Sequence, residues 1–265
     1  MNTRSGELVL RVITAIVSLV IVLFCLFTSN SIFLYLLVAI LGSIMLIEGS
    51  RLLDLERDYL VVTSIIFLIG CYLIYNKKYE VVSFMLFTTI LIPTLKELLR
   101  TRQDLSILRY DSLFKTTFLC LWILTPLWTT LFLKNIGKEK LLFVVALSVW
   151  ITDTFSYFGG RSFGKNYLHS ASPKKTVEGA FCGLVATAVI TTVIYNVMVE
   201  ESITKGLVFS LLTGASAIVG DLVESAIKRR KGVKDSGKIF PGHGGALDRT
   251  DSLLFAIPFT LLFVK

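Results

Sequence analysis

Charge is what this sequence has least of. Only 17% of its 265 residues are Asp, Glu, Lys or Arg, where an ordinary soluble domain carries about 25%. Histidine occurs twice, at His169 and His243, and cysteine four times. The cysteines (Cys25, Cys71, Cys120 and Cys182) each stand in an apolar run without Cys-x-x-Cys spacing. Neither a disulfide scaffold nor a Cys/His zinc centre is therefore expected. No internal repeat or low-complexity tract is visible. No small-x-small cleavage site follows the first apolar run, 8–27, so that run is read as a retained helix.

Apolar residues, in contrast, make up 54% of the chain, and the mean hydropathy is +0.74. That balance excludes a water-soluble fold and a disordered chain alike. A bilayer crossing needs about 20 mostly apolar residues, and nine segments qualify: 8–27, 32–48, 60–76, 81–98, 113–133, 141–159, 177–199, 206–226 and 247–264. The last contains Pro258 and spans only if its helix starts near Leu247, with Asp248 and Asp251 in the first turn. The expected fold is all-α, a polytopic transmembrane bundle of about nine spans. Residues 1–140 would supply five spans, and residues 141–265 a catalytic region with loops at 159–176 and 228–250.

Nine spans put the two termini on opposite faces. Of the 27 Lys and Arg residues, twenty then fall on the N-terminal side and seven on the other. The positive-inside rule places the N-terminus and the basic loops in the cytosol. Most scattered basic residues, such as those of 51–58 and 96–115, need no further explanation than topology and lipid head groups.

Three stretches do. In 206–230, Asp221 sits inside an apolar run, and Glu224, Ser225 and Lys228 follow at i+3, i+4 and i+7 on one helical face. An ionised Asp within a span costs at least about 2.5–3.5 kcal/mol, so it is expected to face the bundle interior and meet a partner. The plain alternative is a structural ion pair of Asp221 with Lys228. Next, in 228–251, a run of cations is followed by glycines around His243 and by Asp248 and Asp251. Carboxylates beside cations suit a site for a divalent ion and phosphates: Mg2+ takes one or two protein carboxylates plus substrate oxygens, and Lys or Arg neutralise the phosphate. Asp221 and Asp248, with Asp251 nearby, would serve. The third stretch is 150–179, where Asp153 nears the end of a span and Arg161, Lys165, Lys174 and Lys175 follow in a Gly/Ser/Pro-rich loop. The run 159–165 mimics a P-loop, but Asn166 replaces the required Ser or Thr and a membrane helix precedes it in place of a strand.

Together these stretches closely resemble the phosphatidate cytidylyltransferases (CDP-diacylglycerol synthases) of bacterial type. The resemblance rests on Gly220-Asp221-Leu222-x-Glu224-Ser225, Lys228-Arg229, Lys234-Asp235-Ser236-Gly237, Phe240-Pro241-Gly242-His243-Gly244-Gly245 and Leu247-Asp248-Arg249-x-Asp251-Ser252. It extends to Asp153-Thr154, Tyr157-Phe158-Gly159-Gly160-Arg161, Phe163-Gly164-Lys165 and Ser172-Pro173-Lys174-Lys175-Thr176-x-Glu178-Gly179. Before Trp150 only the run of apolar spans agrees. Phe155-Ser156 departs from the pattern, standing where small residues are common.

The resemblance implies a multi-pass enzyme of the inner membrane, homodimeric, that moves the cytidylyl group of CTP onto phosphatidate. CDP-diacylglycerol and pyrophosphate would form at a site facing the cytosol. It implies Mg2+ held by Asp221 and Asp248, with a monovalent cation such as K+ beside it, and no nucleic-acid partner. Catalysis is expected from Asp221, Asp248, Lys228 and Arg249. Substrate binding is expected from Asp153, Arg161, Lys165, Ser172, Lys174, Lys175, Thr176 and Glu178. Glu224, Ser225, Arg229, Lys234, Asp235, His243, Gly244, Gly245 and Asp251 complete that set. Two rivals fit less well. A transporter would spread polar residues through many spans to the far face, and a CDP-alcohol phosphotransferase would carry an Asp-Gly-x2-Ala-Arg pattern that this chain lacks. An enzyme phosphorylating another lipid alcohol is the nearer alternative.

Overall fold

The computed structural model describes residues 2–79, 81, 91, 110–240 and 244–264, with side chains from residue 12 onward. Among these, helices are the regular elements, and two isolated antiparallel bridges are the only β pairing. Six helices are long and apolar enough to cross a membrane: Ile32–Leu52, Arg57–Tyr75, Asp111–Asn135, Glu139–Phe163, Val177–Val199 and Ile203–Arg230. They correspond to the second, third and fifth to eighth expected spans. The expected fourth span, 81–98, lies outside the described residues. Large apolar side chains point outward, as on one stripe of the Val177–Val199 helix, where Val189, Val193 and Val197 are 62, 60 and 70% exposed. Such a stripe is a poor surface in water and a natural one against lipid.

The chain divides into two compact units, residues 1–135 with 236–247, and residues 136–235 with 248–265. The first contains α1 (Asn2–Phe27), α2 (Ile32–Leu52), α3 (Arg57–Tyr75), α4 (Tyr110–Leu119) and α5 (Thr125–Asn135). A π turn, Cys120–Leu124, joins α4 to α5 just ahead of Pro126. Pro126 has no N–H for the carbonyl of Trp122, and its ring crowds that carbonyl; widening the turn relieves both. Small residues admit large ones in this unit: Gly42 faces Phe67 and Leu127, and Gly70 faces the Trp128 ring. Trp128 Nε1 donates to the Phe67 carbonyl at 3.3 Å. At the end of α5, Lys134 Nζ donates to the carbonyls of Leu26 and Thr28 at 2.6 and 2.9 Å, and Asn135 Nδ2 to that of Ile74 at 2.6 Å. These bonds satisfy chain-end carbonyls of α1 and α3 that lack partners within their own helices.

The second unit contains α6 (Glu139–Phe163), α7 (Val177–Val199), α8 (Ile203–Arg230) and a broken last segment. Thr176 caps α7, its Oγ1 accepting the Gly179 N–H at 3.1 Å. Ser202 caps α8 in the same way at 3.4 Å. The cations Lys228, Arg229 and Arg230 close α8, where they complement the helix dipole. Helices α6 and α7 approach closely through Gly159, Gly160, Gly179 and Gly183; a β-carbon at Gly179 would stand 2.6 Å from the Ser156 carbonyl. Buried hydroxyl pairs stitch the three helices: Ser148 with Thr213 at 2.7 Å, Thr152 with Thr187 at 2.7 Å and Thr192 with Ser210 at 3.1 Å.

The expected ninth span, 247–264, is not one helix. It breaks into a 3-10 turn Leu247–Arg249, a short α9 (Asp251–Ala256) and a 3-10 helix Ile257–Phe263 that begins around Pro258. The continuous stretch Asp251–Phe263 is shorter than a crossing requires. Asp248 therefore sits on a turn ahead of the helix, while Asp251 opens it.

Candidate active site

The second unit encloses a cavity of about 400 Å3 between the ends of α6 and α8 and the loop 164–176. Its acidic wall is Asp153 from α6 and Asp221 from α8; its basic wall is Arg161, Lys174 and Lys175. Ser156, Ser172 and Thr176 add hydroxyls, while Leu168, Ala180 and Ile218 supply apolar surface. Asp153 and Asp221 reach this place because the hydroxyl pairs and glycine contacts fix α6, α7 and α8 against one another.

The loop that carries the cations is itself tightly folded. Leu168 N–H donates to Lys175 O at 2.9 Å, Val177 N–H to Asn166 O at 3.0 Å, and Lys175 N–H to Ser172 O at 3.0 Å. His169 Nδ1 accepts the Ala171 N–H at 3.0 Å. Glu178 accepts the Lys165 and Asn166 N–H groups at 3.0 and 3.2 Å and the Asn166 amide at 2.8 Å. In this structure Glu178 shapes the loop, and neither it nor Lys165 lines the cavity.

Around the cavity the charges interleave. Lys175 pairs with Asp221, and Ser225 donates to the other Asp221 oxygen at 3.1 Å. Lys228 donates to Asp248 at 2.6 Å and lies 3.2 Å from Glu224. The field of Asp251 reaches both Asp153 and Glu224, and that of Asp221 reaches Asp153 and Asp251. Five carboxylates thus share two lysines. Glu224 is fully buried, and neither of its oxygens has a hydrogen-bond partner. So concentrated an excess of negative charge in a half-buried site calls for a cation. Among the described residues no three carboxylates, histidines or cysteines close on one point. The donor set therefore fits Mg2+, which is content with one or two carboxylates and completes its shell from phosphate oxygens and water.

The remaining expected residues lie apart from the cavity. Arg229, Lys234, Asp235 and Arg249 are exposed, and Arg229 extends toward the Val233 carbonyl at 3.5 Å. His243 lies outside the described residues. Gly244 has φ of +92°, which a side chain would oppose; it pairs with Phe240 through hydrogen bonds of 2.9 and 3.2 Å.

One functional candidate escaped the sequence reading. Glu48, on α2 of the first unit, is 3% exposed and accepts the N–H groups of Ala246 and Leu247 at 3.1 and 3.0 Å and the Ser236 hydroxyl at 3.0 Å. The available signal was an acid closing an otherwise apolar run.

An all-helical chain with six membrane-length helices and a cavity of interleaved acids and lysines defines a membrane protein equipped for phosphate chemistry. The chain belongs to the cytidylyltransferase family, whose pattern matches residues 9–265. It is 28% identical over 275 residues to the phosphatidate cytidylyltransferase of Thermotoga maritima, covering 98% of this chain and 97% of the relative. It is 46% identical over 115 residues to phosphatidate cytidylyltransferase 5, chloroplastic, of Arabidopsis thaliana, covering 43% and 29%. To the phosphatidate cytidylyltransferase of Helicobacter pylori strain J99 it is 42% identical over 122 residues, covering 46% of each. Against the last two, the match spans less than half of the relative's length.

Proposed function

We propose that this protein transfers the cytidylyl group of CTP to phosphatidate, releasing pyrophosphate and leaving CDP-diacylglycerol in the membrane. The observation that carries the reading is the cavity itself. It combines Asp153 and Asp221 with Arg161, Lys174 and Lys175 at the ends of membrane-length helices. A site of that kind meets a soluble triphosphate and a phosphate on a lipid anchor at once.

A phosphatidate oxygen attacks the α-phosphorus of CTP, and the bond from that phosphorus to the bridging oxygen of pyrophosphate breaks. The attacking oxygen is already ionised, so no strong base is required; positioning and charge neutralisation carry the acceleration. Lys174, Lys175 and Arg161 would neutralise phosphate oxygens, and Ser172 and Thr176 would orient them. Asp221 and Asp248 would hold Mg2+, which when bound offsets charge on the phosphates and the leaving pyrophosphate. A cation there would free Lys175 and Lys228 from their carboxylates for phosphate. A monovalent ion beside it, a homodimeric assembly and an inner-membrane location with the site toward the cytosol belong to the same proposal, on the resemblance and the distribution of basic residues.

The test is the purified protein with CTP labelled in the α-phosphate, phosphatidate and Mg2+. Label entering the lipid as CDP-diacylglycerol supports the proposal. Phosphorylation of a lipid with release of free CDP would overturn it in favour of a lipid kinase.

A further inference from the structure

Helix α2 carries two charged residues, Glu48 and Arg51, and Glu48 is the buried one. Burying a carboxylate in an apolar helix is costly unless donors meet it, and here three do. Oε1 accepts the Ala246 N–H, and Oε2 accepts the Leu247 N–H and the Ser236 hydroxyl. The hydroxyl comes from a residue 188 positions away in the chain. Two of the loop's glycines answer to the same side chain. A β-carbon at Gly245 would stand 2.5 and 2.6 Å from the two Glu48 oxygens, and one at Gly237 would collide with the same carboxylate. Leu247, fully buried, sets its Cδ1 within 3.7 Å of where a β-carbon of Gly49 would be.

Apolar packing alone could hold this loop to α2. A carboxylate adds direction, because hydrogen bonds to two successive amides fix the orientation of both peptide planes. The next residue in the chain is Asp248. We infer that Glu48 is a positioning residue: it orients the 244–247 backbone from which the chain enters Asp248 and Arg249. The inference rests on the cytidylyl-transfer reading above, which gives Asp248 its part in the reaction.

The experiment compares wild type, Glu48→Gln, Glu48→Asp and Ser236→Ala in lipid nanodiscs. Hydrogen exchange is read over residues 244–247, and kcat, both KM values and the Mg2+ requirement are read per folded molecule. Gln presents one acceptor and turns an N–H2 group against a backbone N–H, so exchange at 246–247 should quicken. Misplacing the following residue should lower kcat on the order of tenfold to a hundredfold and raise the Mg2+ needed for half-maximal rate. Asp, which keeps both acceptors, should recover part of the loss, and Ser236→Ala should show the same changes in smaller degree. A role in stability alone would reduce the yield of folded protein and leave these values unmoved. Wild-type exchange and kinetics in Glu48→Gln would overturn the inference. If Glu48→Gln does not fold, unchanged exchange and kinetics in Ser236→Ala would do so. A wild-type protein that forms no CDP-lipid would count against the cytidylyl reading instead, while exchange at 246–247 would still decide whether Glu48 holds the loop.

Discussion

Lys228, in the last turn of α8, donates to Asp248 at 2.6 Å across to the turn that precedes α9. Its ammonium is also 3.2 Å from Glu224, whose side chain is fully buried. The lysine is thus shared by two acids that water scarcely reaches.

Replacing Lys228 with Met should therefore do more than remove one ion pair. The length is kept, but Asp248 and Glu224 lose their common counter-ion. Breaking a buried pair from one side typically costs about 3–5 kcal/mol. Thermal unfolding in detergent should show a loss of that order, and Glu224→Gln added to Lys228→Met should restore part of it. No restoration would mean that Glu224 does not depend on Lys228.

Asp221→Asn and Asp248→Asn should each cut CDP-lipid formation by on the order of 10²-fold or more in correctly inserted protein. Chelation with EDTA should stop the wild type, and added Mg2+ should revive it. Near-wild-type rates in either variant would remove that acid from the metal site.

Gly179→Ala tests the close approach of α6 and α7. Its β-carbon would meet the Ser156 carbonyl at 2.6 Å and Gly160 Cα at 2.9 Å, both backbone atoms that cannot turn aside. A loss of about 1–3 kcal/mol is expected from such overpacking, together with reduced turnover because the cavity lies at the same end of α6. Gly214→Ala should be milder, since its nearest contacts are side-chain atoms of Thr152 and Thr187 at 3.2 Å.

Cysteines placed at Lys234 and Lys140, both exposed, report orientation. A membrane-impermeant thiol reagent added to intact cells should label position 140 and spare position 234. Labelling of 234 from outside would reverse the proposed topology.

Much of the second unit was legible because its chemistry is written in short spacings. Asp221, Ser225 and Lys228 share a helical face in the sequence and do so in the structure, with Ser225 bonded to Asp221. The 177–199 helix was bounded to the residue, since Thr176 caps it and Glu200 leaves it at φ of +58°. Spacing does not disclose, however, which of several polar residues is spent inside the loop. Glu178 reads like a substrate ligand until its three donors from Lys165 and Asn166 are seen. The last segment failed as a span for a local reason: the chain turns through Leu247–Arg249 before α9 can start, and Pro258 shifts what remains into a 3-10 helix. Glu48 was hidden because its partners arrive almost two hundred residues later, and no local pattern anticipates them.

Hydrocarbon side chains grip one another without regard to direction, so a seam of leucines in lipid could slide along its axis at little cost. The oxygens of Ser148, Thr152 and Thr187 cannot, because a shift by one helical turn would strand them where no other donor is at hand. Asp153 follows Thr152 directly, and Asp221 lies two turns beyond Thr213, about 12 Å along the same rod. These few alcohols act like the teeth of an index gear: they set the depth at which both acids stand, and a loose tooth would send one of them past the other.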